Sequence, residues 1–141
     1  LEQNRLLPSM KNLNRIGIAR AMVMNNEKGI ELESLYGYVH ENRIKLYDGW
    51  MPLYIGDILL NVDDQHMSEA EEWVKKAIQA DTRNGMRFHL GRAYSLYADI
   101  FKRRGDQLKA RETLNKAIAI FKDCGAEGWV KKYEKDLASL S

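Results

Sequence analysis

Cysteine is nearly absent. The 141 residues contain one, Cys124, which excludes an internal disulfide framework and fits a reducing compartment. It stands in Lys122-Asp123-Cys124-Gly125, a run that reads as the end of a helix, where the helix dipole disfavours a thiolate. Proline is almost as scarce, with only Pro8 and Pro52, and no hydrophobic run alternates with the period of two that strands require. No apolar stretch approaches the ~20 residues of a membrane span and no signal peptide is visible, so a cytoplasmic location is expected. An excess of charge of one sign is also missing. Twenty-two Lys and Arg face twenty Asp and Glu, a net charge of +2. The densest basic run is Lys102-Arg103-Arg104, too short to track phosphates, so nucleic acid is not an expected partner. The chain begins at Leu1 without a methionine, which suggests a segment of something longer.

Catalytic signatures are lacking too. No Gly-rich phosphate loop occurs, Gly85 and Gly91 being isolated, and no G-x-S-x-G or supported Cys–His pair is present. His40, His66 and His89 fall in different expected elements. The nearest approach to a metal-ligand cluster is Asp63, Asp64 and His66, which reads better as a polar turn. The chain is therefore expected not to be an enzyme, to carry no metal and no cofactor, and to leave any catalytic activity to a domain outside it.

What is present is a duplication. Residues 69–81 read EAEEWVKKAIQAD and residues 109–121 read KARETLNKAIAIF. Ala70, Glu72, Lys76, Ala77 and Ile78 recur as Ala110, Glu112, Lys116, Ala117 and Ile118, forty residues later. Self-similarity at a period of 20–50 residues is the mark of stacked repeats. Helical spacing surrounds both copies. Leu90, Tyr94, Tyr97, Ala98 and Phe101 describe one helix. Arg104-Gly105-Asp106 supplies its stop and an N-cap for the next, which carries Ala110, Leu114, Ala117 and Phe121 and ends at Gly125. Upstream, Leu53, Gly56, Leu59 and Leu60 describe a helix from about 49 to 61. After a turn at Asp63–His66, the Ser68 and Glu71 capping-box spacing predicts the start of a helix with Ala70, Val74 and Ala77 on one side. Trp129, Tyr133, Leu137 and Leu140 describe an amphipathic last helix with a wet outer face. Ile16, Ile18, Ala19, Met22 and Val23 suggest a first helix, and 30–47 a second. The expectation is a single all-α domain over 1–141 of about seven helices, in pairs at roughly 9–47, 49–82 and 84–124, with a capping helix at 126–140.

Tyr94, Tyr97, Ala98, Phe101, Ala110, Leu114 and Ala117, with the twelve-residue gap from Ala98 to Ala110, resemble the tetratricopeptide pattern W-x2-L-G-x2-Y…A-x3-F. Pro52, Ile55, Gly56, Leu59, Ala70, Val74 and Ala77 resemble it again, with a gap of fourteen. The resemblance implies a right-handed α-solenoid of antiparallel helix pairs. Small residues at Gly56, Ala98, Ala70 and Ala110 would mark close helix crossings, with Tyr97, Phe101 and Leu114 filling the space around them. The period of forty exceeds the family's usual 34, so helices or turns must be longer. Residues 50–140 further resemble the C-terminal repeats of large bacterial signalling proteins, in which a nucleotide cyclase or STAND-type ATPase module precedes the array.

By that resemblance the first helix of each pair lines a concave binding face. Its positions fall at Trp50, Leu53 and Asp57 in one pair and Arg92, Ser95 and Asp99 in the next, extended by Lys102 and Arg103. Family members that grip a carboxylate terminus place Asn where this chain has Asp57 and Asp99, so a basic or amphipathic segment is the expected ligand, anchored on Trp50. Pairing of these aspartates with Arg92 or Arg103 is the competing reading. The function implied is a protein-interaction and regulatory module binding a peptide, a partner protein or another domain of its parent chain. No nucleic acid and no membrane are expected as partners, and homo-oligomerisation stays open. The alternative is a small-molecule-sensing or oligomerisation domain of a transcriptional regulator, with a pocket around Tyr94, Tyr97 and Trp129.

Overall fold

The structure, a computed structural model, describes the backbone of residues 2–140 and the side chains of residues 6–140. Among the described residues every element is helical. The seven helices are α1 (Glu2–Met24), α2 (Leu32–His40), α3 (Tyr47–Val62), α4 (Met67–Asn84), α5 (Arg87–Arg103), α6 (Gln107–Asp123) and α7 (Glu127–Ser139). Where the sequence suggests one domain, the chain divides into two compact units, Leu1–Ala77 and Ile78–Ser141, with the boundary inside α4.

The forty-residue period has a local cause. Gly85, Gly105 and Gly125 stand twenty apart, each with positive φ (67°, 80° and 72°). After each, the same two bonds close the helix end, as in Gly105 N–H to Lys102 O (3.0 Å) and Asp106 N–H to Phe101 O (2.9 Å). This is the Schellman stop, which satisfies the last carbonyls and needs a left-handed residue that glycine adopts without a Cβ clash. Because α5 and α6 each run 17 residues and the turn between them is only Arg104–Asp106, the extra length over 34 lies in the helices. Asp106 also caps α6 as expected, its side chain accepting from the Lys109 N–H at 3.1 Å.

Ser68 does not start α4. The helix begins at Met67, two residues before the Glu69 that a Ser68 cap implies, because Asp63 shapes the approach: its Oδ1 accepts the Gln65 N–H at 2.8 Å and lies 2.6 Å from His66 Nδ1. The first pair departs further from expectation. α1 starts at Glu2 and runs through Pro8 for 23 residues, and α2 is short, ending at His40. Residues 41–46 form a turn rather than helix. Asn42 Nδ2 donates to Ile44 O and to Asp48 Oδ1, both at 2.9 Å, while Asn42 Oδ1 accepts the Ile44 N–H. An asparagine that bonds its own neighbouring backbone competes with helix, as here. Buried Ser9 and Asn12 of α1 hold this turn, Ser9 Oγ accepting the Arg43 N–H at 2.8 Å and Asn12 donating to Glu41 at 3.1 Å.

In the first unit α3 is the central element. Met51, Ile55, Ile58 and Leu59 are fully buried, and α1 packs along it. A Cβ at Gly56 would lie 2.9 Å from Val74 Cγ2 and 3.3 Å from the Ala70 carbonyl, so the close crossing expected there exists and only glycine allows it. α2 is pinned by Tyr36, whose ring stacks on Trp73 at 5.4 Å and whose hydroxyl donates to Glu69 at 2.8 Å. Burial first, and then that bond to a carboxylate, raise the Tyr36 hydroxyl far above the usual phenol range.

In the second unit α5 and α7 both pack on α6. Ala98, Ala110, Leu114, Ile118 and Leu140 form one cluster, with Phe101, Val130, Tyr133 and Leu137 against it. Phe121 centres a ring cluster, stacked on Trp129 and Tyr133 (both 5.7 Å) and edge-on to Phe88 at 5.7 Å. α7 buries no residue fully. It leans on α6 through half-buried Trp129, Val130 and Tyr133 and exposes Lys131, Lys132 and Glu134, and the Arg111 guanidinium donates to Leu140 O at 2.7 Å.

Candidate partner-binding faces

The duplicated segments supply the second helix of each expected pair, and the structure buries one side of each. Ala70, Val74 and Ala77 in the first unit and Ala110, Leu114 and Ala117 in the second are all core. The first helices carry core residues too, Met51, Ile55 and Leu59 on α3 and Ala93 and Ile100 on α5, but each also keeps one side partly open. On α3 Trp50, Tyr54 and Asp57 stay partly exposed, as do Arg92, Ser95 and Asp99 on α5.

Leu53 does not share that face. It is 3% exposed, within the core of the first unit, because α3 is wrapped on several sides and a leucine one helical turn from Trp50 turns inward. Around it the α3 face is an aromatic row. Tyr47 and Trp50 meet edge-on at 5.8 Å, and Trp50 and Tyr54 at 6.2 Å. Such edge contacts hold rings in fixed orientations. Tyr47 and Asp48 also explain why α3 begins two residues before the expected Gly49, since one ring and one Asn42 bond anchor that first turn.

Asp57 closes the row, and it has a partner that sequence spacing does not reveal. Arg20, on α1, reaches it at 2.6 Å while stacking 4.9 Å from the Tyr54 ring centre. Asn61 Nδ2 donates to Asp57 Oδ1 at 3.1 Å as well. The carboxylate is thus held rather than projecting free. A guanidinium that pairs with a carboxylate and covers a ring at once is locked in place. Arg20 is the residue that sequence reading missed. Nothing in the sequence spacing links residue 20 to residue 57.

In the second unit Arg103 pairs with Asp99 at 2.9 Å, an i,i+4 contact along α5. Ser95 turns its hydroxyl back to the Arg92 carbonyl at 2.7 Å, and Arg92 lies 5.7 Å from the Trp129 ring. Lys102 is exposed. The competing expectation for Asp99 therefore matches the observed geometry. Lys116 Nζ lies 5.9 Å from the Tyr94 ring centre, and Trp129 stacks in the ring cluster with Phe121.

Among the described residues no group of three His, Cys, Asp or Glu is placed to hold a metal. Asp63 and His66 form a pair, and the His66 bond, followed by the Gln65 N–H, holds the Asp63 carboxyl below the usual range. Cys124 is exposed at the α6 C-cap, its Sγ 3.7 Å from the Phe121 carbonyl. No described helix is long and apolar enough to cross a membrane.

One buried group stands outside all of this. Asp81 holds the place in the duplicated segment that Phe121 holds forty residues later. It is 1% exposed, its Oδ2 has no hydrogen-bond partner, and burial pushes its carboxyl up to about 7. Its carbonyl serves the Schellman stop at Gly85, accepting the Met86 N–H at 2.9 Å. Comparison with protein-family models, with curated proteins and with solved structures found no match.

Proposed function

We propose that this chain is a tetratricopeptide-like interaction and regulatory module of a bacterial signalling protein, recognising a peptide or partner domain through the first helices of its pairs. The observation that carries the reading is the partly open aromatic and charged side that α3 and α5 each keep beside their buried residues. The duplicated helices bury their shared alanines, Ala70, Ala77, Ala110 and Ala117, while α3 and α5 keep aromatic and charged side chains partly open and held by ring contacts and ion pairs. Rigid, preordered side chains of this kind lose little entropy when a ligand meets them. Trp50 and its two tyrosine neighbours form the apolar anchor, and the Arg20–Asp57 and Arg103–Asp99 pairs set the charge pattern around each face.

Peptides selected from a random display library on the intact chain test this. The Trp50→Ala chain is expected to lose at least about tenfold in affinity for them, roughly the effect of an interface anchor above 1 kcal/mol. Asp57→Lys, which also repels Arg20, is expected to weaken binding similarly. Full affinity in Trp50→Ala, Asp57→Lys and Asp99→Lys alike removes the reading.

A further inference from the structure

α1 is buried along one side and exposes apolar residues along another. Its inner side, Ser9, Asn12, Ile16, Ala19 and Val23, is buried in the first unit. Its other side leaves Leu7, Met10, Ile18 and Met24 exposed at 48%, 46%, 61% and 44%. At the helical period these four fall with Leu6 and the exposed Asn14 and Ala21 into an arc about 120° wide, opposite the buried one. A contiguous exposed apolar stripe marks an interaction surface.

The charges say what covers it. Residues 6–24 contain no Asp or Glu. Lys11 and Arg15 lie along one edge of the stripe, and neither pairs with a carboxylate among the described side chains. Arg15 donates to Asn12 Oδ1 at 3.0 Å and rests 5.4 Å from the Tyr38 ring. The helix's other cation in that span, Arg20, is already neutralised by Asp57. We propose that this face docks an acidic amphipathic helix, whose apolar stripe covers Leu7, Met10, Ile18 and Met24 and whose edge carboxylates meet Lys11 and Arg15. A second copy of α1 brings the same basic edge and no carboxylate to satisfy it. An anionic membrane would supply charge, but the stripe has none of the aromatic rings that seat a helix at a headgroup boundary. The proposal concerns the outer face of α1 rather than the α3 row, and its test is independent of the reading above.

Two synthetic helical peptides test it, sharing one leucine–alanine stripe, one edged with glutamate and the other with lysine. Titrated into the intact chain, the glutamate-edged peptide is expected to bind about tenfold tighter, as two rim ion pairs allow, and the preference shrinks at high salt. Ile18→Glu abolishes binding, and Lys11→Glu with Arg15→Glu reverses the preference. All three positions are exposed, so the melting temperature stays within about a degree and loss of fold is separable from loss of binding. Trp50→Ala leaves this binding unchanged; if it removes it, the peptide sits on the α3 face and the assignment to α1 fails. Equal affinity for both peptides, no binding of either, self-association that Ile18→Glu abolishes, or Ile18-dependent binding to phosphatidylserine vesicles without a peptide preference each overturns the proposal.

Discussion

Asp81 and Phe121 occupy one place in the duplicated segment, and the two copies use it in opposite ways. Phe121 is the fully buried centre of a ring cluster, whereas Asp81 places a carboxylate with an unpartnered oxygen in an equally dry position. Burying such a group without a partner costs free energy, and no neighbouring charge offsets it, since burial alone raises its proton affinity. A glycine shows the reverse logic. Gly91, which reads in the sequence as an isolated residue, lies so close to Phe121 that a Cβ would sit 2.8 Å from Cε1. Phe121 is stacked on two other rings and cannot swing aside. Gly91→Ala is expected to destabilise the chain by roughly 1–3 kcal/mol in urea unfolding followed by fluorescence, an overpacking cost. Gly128, in the first turn of α7 with nothing within 4 Å of a Cβ, is expected to behave oppositely, Gly128→Ala stabilising by about 0.5–1 kcal/mol. For the site, the positions taken from the resemblance include Trp50, Asp57, Arg92, Ser95 and Asp99, all partly open. The resemblance misplaced Leu53 and could not find Arg20, because the partner of Asp57 comes from a helix 37 residues away.

At the scale of the element, the chain is punctuated by one device used three times, a left-handed glycine closing α4, α5 and α6 at positions 85, 105 and 125. Gly105→Ala, forced into φ near 80°, is expected to cost about 1 kcal/mol. The device is incomplete in two of its three uses. Asp106 caps the following helix with its side chain, whereas Ala126 and Met86 stand in the same place before α7 and α5 and cap nothing. Ala126→Asp is therefore expected to raise stability by about 0.5–1 kcal/mol and to lift the melting temperature by a few degrees in calorimetry, as an added N-cap does. Elements of the C-terminal half were legible to within a residue or two for this reason, since glycine stops and a capping aspartate are written locally. Those of the first 48 residues were not. The turn at residues 41–46 depends on Asn42 bonds and on Ser9 from α1, and α2 owes its position to Tyr36 meeting Trp73 and Glu69 on α4.

For the molecule as a whole, Asp81 predicts an unusual dependence on pH. Its carboxyl titrates near 7 when folded and near 4 when unfolded. Between those values the folded chain binds more protons than the unfolded one, so its contribution to stability falls as pH rises through that window and levels off above 7. The difference is on the order of 4 kcal/mol. Measured by urea unfolding from pH 5 to 8, the parent is expected to weaken relative to Asp81→Asn, whose stability is flat over this contribution and higher above pH 7; parallel curves would show that Asp81 is not buried as described. The sequence by itself determined the all-helical class, the number of helices and their period. Those follow from the spacing of apolar residues and from glycine and capping chemistry acting over four or five neighbours. Only the tertiary structure decided which long-range partner each side chain meets: Arg20 for Asp57, Phe121 for Gly91, a dry pocket of core for Asp81, and an uncovered outer face for α1. Contacts of that kind depend on how helices pack, and one-dimensional periodicity tells that a face is apolar without telling what lies against it.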